Sequence, residues 1–227
     1  MANKNQQETR TSIDDLNDSL SSIEQKVEGN QKLISWILIA VAAVTVLVIV
    51  YIFLIREPAI KAADEAVSQA DITLIQGNDS LALAQYKQVA DEYGYEAGNR
   101  AALQTAILYY KKKDYKQALE YVKKYDQKET VVGAASLALE GDCYVNLGQL
   151  DDALAAFKKA VKASDNNPLY TPLFLIKEAN VLRAQNKTEE ELKVYETIQE
   201  EYPEFGPAYN YDIQKYIERC KAQLGQD

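Results

Sequence analysis

Residues Ser136–Pro168 read SLALEGDCYVNLGQLDDALAAFKKAVKASDNNP, and this stretch decides the fold because the chain repeats it. Within it Gly141, Tyr144, Gly148, Ala153, Phe157 and Ala160 stand at offsets 0, 3, 7, 12, 16 and 19. The same offsets select Ala106, Tyr109, Lys113, Ala118, Val122 and Tyr125 upstream, and before them Ala70, Thr73, Gly77, Ala82, Tyr86 and Val89. Downstream they select Ala179, Leu182, Asn186, Glu191, Tyr195 and Ile198, with Pro203 closing the unit. The starting points are 36, 35 and 38 residues apart, the kind of period that marks a stacked array of supersecondary units.

From Pro58 onward apolar residues recur at helical spacing between short turns rich in Gly, Asn and Asp, and no alternating strand pattern of useful length occurs. Each copy therefore reads as two antiparallel helices. The first offset is always Ala or Gly and offset 12 is Ala in three copies of four, as expected if the two positions face each other where the helices approach most closely. Gly77, Gly148 and Asn186 suit the left-handed residue that closes a helix. Lys113 and Glu191 depart from the pattern. An adjusted turn is expected at Lys113. A carboxylate at a helix crossing is costly to bury, so a register shifted by one residue is expected in the fourth copy.

Before the array lies a run of 23 residues, Leu33–Ile55, without a charge. As a helix it would span about 35 Å, enough for a hydrocarbon core of about 30 Å. It is longer than a signal-peptide core, follows a polar tail of 32 residues, and ends in bulky VYIFLI rather than a small-residue cleavage site. A soluble domain this small could not cover it on all sides, so it reads as a retained transmembrane helix with Trp36 and Tyr51 near its ends. Lys26 and Lys32 before the run balance Arg56 and Lys61 after it, which leaves the orientation open. In the tail, Ile13, Leu16, Leu20, Ile23 and Val27 form a seam of about two heptads, read as a frayed amphipathic helix or a surface for self-association or docking on a partner helix.

The expected domains are a polar tail over 1–32, the span over 33–55 and the helical array over 56–227. Its units fall near 63–98, 99–133, 134–170 and 172–206, with a capping helix over 207–224 whose Ile213, Tyr216, Ile217 and Cys220 share one side. The fold class is thus all-α, an α-solenoid of about four helix pairs.

A net charge of −9 disfavours nucleic acid. With no histidine and two cysteines, most groups used for acid–base catalysis near neutral pH and for transition-metal ligation are missing, so no enzyme, metal or cofactor is expected. Cys143 and Cys220 fall on different helices and read as small core residues. The lysines of KKKDYKQALEYVKK, residues 111–124, are interleaved with acids and read as a solvated face. The tyrosines after the span read mostly as core, with Tyr202, Tyr209 and Tyr211 as the exposed ones that could form a docking patch.

The order small residue, Tyr, turn Gly, Ala, aromatic, Ala and terminal Pro, clearest in EGDCYVNLGQLDDALAAFKKA, resembles the tetratricopeptide repeat over residues 62–203. Ala102, Leu137 and Leu175 stand where that family often has Trp. The resemblance implies a groove lined by the first helix of each pair. Its expected lining is Arg100, Leu103, Ile107, Tyr110 and Lys111, then Asp142, Val145 and Asn146, then Leu173, Ile176, Asn180 and Arg183. Such a mixed surface suits an extended or helical polypeptide. Lys111 and Asn146 alone do not make up the family's carboxylate clamp. The order tail, span, repeats is similar to that of ancillary subunits of the bacterial SecYEG translocon. That likeness implies an inner-membrane protein with a cytoplasmic N-terminus and periplasmic repeats, assisting exported polypeptides beside translocon subunits and periplasmic chaperones. The alternatives are a static scaffold of an envelope or secretion complex and a cytoplasm-facing membrane adaptor.

Overall fold

The computed structural model describes residues 30–127 and 129–226. The seam from Ile13 to Val27 lies outside the described residues. The chain divides into two compact units, Met1–Pro58 and Ala59–Asp227.

In the first unit, α1 spans Gln31–Tyr51 and buries none of its side chains. Trp36 and Tyr51 are exposed, as are the aliphatic residues between them. The helix is long and apolar enough to cross a membrane. Its ladder widens into a π-helical turn over Ile52–Arg56. Pro58 accounts for this: it lacks an N–H for the Leu54 carbonyl and its ring crowds that oxygen, so the preceding turn opens.

The second unit is an all-helical solenoid, with no strand among the described residues. Four pairs follow in order: α2 (Glu57–Ile75) with α3 (Asp79–Glu92), α4 (Tyr95–Lys111) with α5 (Tyr115–Lys124), α6 (Thr130–Asn146) with α7 (Leu150–Ala163), and α8 (Tyr170–Ala184) with α9 (Thr188–Glu201). A short α10 (Phe205–Tyr209) and α11 (Ile213–Leu224) complete it. From α3 to α9 each helix packs on its sequence neighbour, α2 shares a core cluster with α3, α11 packs on α9, and the first helices of successive pairs meet, α4 with α6 and α6 with α8.

The repeating offsets mark what is inside. Ala70, Ala106, Gly141 and Ala179 at offset 0 are buried, as are Tyr86, Val122, Phe157 and Tyr195 at offset 16 and Val89, Tyr125, Ala160 and Ile198 at offset 19. A methyl group on Gly141 would meet the Phe157 ring, 2.5 Å from Cε1, so in this pair the small residue makes room for offset 16.

All four intra-pair turns are the same. Gly77, Lys113, Gly148 and Asn186 each have positive φ, between 59° and 81°. The next residue's N–H reaches back five positions in every case, Asn78 to Thr73, Asp114 to Tyr109, Gln149 to Tyr144 and Lys187 to Leu182. Lys113 thus adopts the shared left-handed turn, not an adjusted one, because packing of the pair fixes its geometry. A Cβ is strained there, so Lys113→Gly is expected to raise stability by about 1 kcal/mol in denaturant melts. An unchanged or lowered midpoint would count against the strain.

The fourth pair keeps its register despite Glu191. That side chain is 1% exposed at the crossing where Ala82, Ala118 and Ala153 sit in the other copies. Arg219 of α11 reaches its Oε1 at 2.5 Å, which offsets the charge. The capping region also differs from a single helix over 207–224. Asn210 adopts a left-handed conformation at φ 59° that ends α10, and Asp212 caps α11 by accepting from the Lys215 N–H at 3.1 Å. Ile213, Ile217 and Cys220 are buried beneath it, while Cys143 is buried on α6.

Candidate protein-binding groove

Residues just after the small residue of offset 0 occupy one side of the first helices: Asp71, Ile107, Asp142 and Asn180. One turn on, at offsets 4 and 5, stand Tyr110 and Lys111, then Val145 and Asn146, then Arg183 and Ala184. None of these nine from Ile107 onward is fully buried. Helical period and repeat period together therefore bring most of the expected positions to one face.

Polar contacts tie this face together across repeats. Lys177 on α8 donates to both oxygens of Asp142 on α6, at 2.7 and 2.8 Å. Asn146 Nδ2 donates to the Tyr110 hydroxyl at 3.3 Å and to the Asp142 carbonyl at 2.8 Å. Arg183 donates to Asn180 Oδ1 at 3.1 Å. Arg100 pairs with Asp71 of α2, which also accepts from the Tyr86 hydroxyl. Tyr110 stands edge-on to Tyr115. A small depression of about 210 Å³ opens where Asp142, Val145, Phe157, Lys177, Asn180 and Val181 meet.

Not every expected residue is free to touch a ligand. Ile176 is 8% exposed and lies in the core beneath α9 and α11. Leu103 and Leu173 are half-buried and lean on core clusters. Two polar members were not expected, Asp71 and Lys177. Asp71 follows Ala70 as Asp142 follows Gly141, so the offset pattern carried its signal. Lys177 lies three before Asn180, one helical turn away on the same side. Ile75 shares the offset of Lys111 and Asn146 and is 85% exposed, which adds an aliphatic group to the first helix. Of the lysine run, Lys111, Lys112, Lys113 and Lys116 are exposed, while Lys124 pairs with Asp91 and Glu120.

Burial pushes the Asp142 carboxyl above the usual carboxylate range, and the Lys177 ammonium beside it offsets part of that rise. Burial raises the Tyr110 phenol too. A carboxyl raised by folding favours the folded state fully below its unfolded pKa, and the benefit is lost as pH rises through the folded value. Replacing Lys177 by Met removes the offset. The Asp142 side chain, followed by carboxyl carbon shifts, is then expected to titrate higher still, whereas an unchanged titration would mean that Lys177 does not act on it.

Residues 57–181, more than half of the chain, match the family profile described as Tetratricopeptide repeat-like domain. The chain belongs to this tetratricopeptide repeat-like family. Repeats of this family are typically non-catalytic modules for protein–protein interaction. No curated protein matches the chain in sequence. Among solved structures, MamA is similar with a TM-score of 0.57 at 17% identity, over 72% of this chain and 83% of that one. YrrB, described as a TPR protein with an unusual peptide-binding site, is similar with a TM-score of 0.55 at 17% identity, over 74% and 84%. PilF of Pseudomonas aeruginosa follows with a TM-score of 0.51 at 13% identity, over 71% and 74%. At these identities the likeness is one of fold.

Proposed function

We propose that this protein is a membrane-anchored polypeptide-binding module that assists export or folding of secreted and envelope proteins. The observation that carries the reading is the joining of one apolar helix, none of whose side chains is buried, to a repeat array whose first-helix face mixes Tyr110, Val145 and Ile75 with paired polar groups. In this reading α1 crosses the bacterial inner membrane and the repeats lie in the periplasm. The arrangement resembles that of YfgM, an ancillary subunit of the SecYEG translocon. The partners would be exported polypeptides, translocon subunits or periplasmic chaperones. YrrB, of the same fold, is described by its peptide-binding site, which supports a peptide as the groove's occupant. The anchor would act through effective concentration, since a weak groove held beside the point of emergence meets each new chain.

Sidedness is the first thing to test. Protease added to intact spheroplasts is expected to degrade the repeats and leave a fragment protected by the membrane. Repeats that survive until lysis would place them in the cytoplasm and overturn the export reading in favour of a cytoplasmic adaptor.

A further inference from the structure

A second cavity lies away from the groove, at the C-terminal end of the array. It measures about 540 Å³ between the end of α9, α10 and the start of α11. Tyr202, Pro203, Pro207 and Tyr211 supply flat apolar walls, and Gln199, Asn210 and Gln214 supply carboxamides. The aromatic wall is held in place from behind. Buried Phe205 stacks on Tyr211 with ring centres 5.3 Å apart, and the Tyr202 hydroxyl donates to Asn166 Oδ1 at 3.5 Å. Asp212 lines the cavity, and the exposed carboxylates Glu200, Glu201 and Glu204 lie beside it in sequence, with no lysine or arginine between Gln199 and Gln214 and exposed Lys215 as the next cation. Asp212 is engaged in capping α11.

We propose that this cavity is a second binding site, for a basic polypeptide segment whose arginine side chain enters between the tyrosine rings. Charge complementarity selects a cation, and tyrosine faces attract a guanidinium within about 6 Å of the ring centre. The volume exceeds what one guanidinium fills, which favours a polypeptide over a free polyamine. The site is distinct from the first-helix groove, so a chain could be held at two points of one array.

The test uses the full-length protein in detergent micelles and a fluorescein-labelled octapeptide of alternating arginine and glycine. Anisotropy is expected to show saturable binding that weakens with salt. The same peptide with citrulline for arginine is expected to bind at least about tenfold more weakly. Tyr202→Leu is expected to cost about fivefold and Tyr202→Phe nothing, because the ring is kept. The exposed triple change Glu200→Gln, Glu201→Gln and Glu204→Gln is expected to weaken binding with an unchanged thermal melt. Tyr110→Ala in the groove is expected to leave this binding intact. Equal affinity for the citrulline peptide, full binding by the triple variant, or loss of binding with Tyr110→Ala would each overturn the proposal.

Discussion

Replacing Arg219 by alanine is expected to destabilise the C-terminal end of the array by about 3–5 kcal/mol, the cost of stranding a buried charge. Glu191 is 1% exposed and its carboxylate has Arg219 as its cationic partner at 2.5 Å. The guanidinium also lies over the Tyr216 ring at 5.4 Å and the Tyr195 ring at 6.0 Å, so packing is lost with the charge. The effect is asymmetric. Arg219 keeps 31% of its side-chain exposure, so in Glu191→Ala it can turn to water, and about 1 kcal/mol is expected. The double variant, with alanine where three other repeats have it, should recover most of the loss. Denaturant melts of the two single variants and the double variant check all of this. Equal costs for the single variants would contradict the asymmetry.

Gly98→Ala is expected to be comparably severe for another reason. Only Tyr93 and Gly94 separate α3 from α4, whereas five residues separate α5 from α6 and six separate α7 from α8. So short a reversal lays the Tyr93 carbonyl against α4, and a Cβ on Gly98 would sit 1.9 Å from that oxygen. Backbone cannot step aside as a side-chain tip does. The helix gains about 1 kcal/mol of propensity from alanine, yet overpacking against a fixed atom outweighs it, for a net loss of about 3 kcal/mol. Gly94→Ala is the control, because nothing lies within 4 Å of its added methyl. Hydrogen exchange should show lost protection in α3 and α4 for the first variant and none for the second. Protection retained in Gly98→Ala would refute the clash.

The recurring offsets carried the fold because each copy must solve the same problem, closing two helices on each other and stacking on the next pair. Offset 7 is left-handed four times out of four, including at Lys113, where the residue type alone gave no sign of it. Composition failed where a long-range partner intervenes. Glu191 looked misplaced because Arg219, 28 residues on, cannot be assigned to it from spacing. Likewise the groove's first-helix face followed from repeat position, but its pairing did not. Asp142 with Lys177 and Tyr110 with Asn146 are contacts between repeats, 35 and 36 residues apart, which depend on how far one pair rotates over the next. Ile176 shares its helix with the groove residues, but its place in the core is set by α9 and α11. The break between α10 and α11 was hidden because Asn210 and Asp212 act through backbone conformation and capping rather than hydrophobic spacing.

The most direct test of a groove that holds emerging chains is photo-crosslinking in intact cells. A photoreactive side chain is placed at Tyr110 or Asn146 on the groove and, as a control, at exposed Lys159 on α7, the second helix of its pair. The expected result is a spread of many exported polypeptides joined at the two groove positions, rising with export load and weak at Lys159. One stoichiometric partner at Tyr110 and Asn146, unchanged whatever the export load, would contradict the account and make the protein a static scaffold.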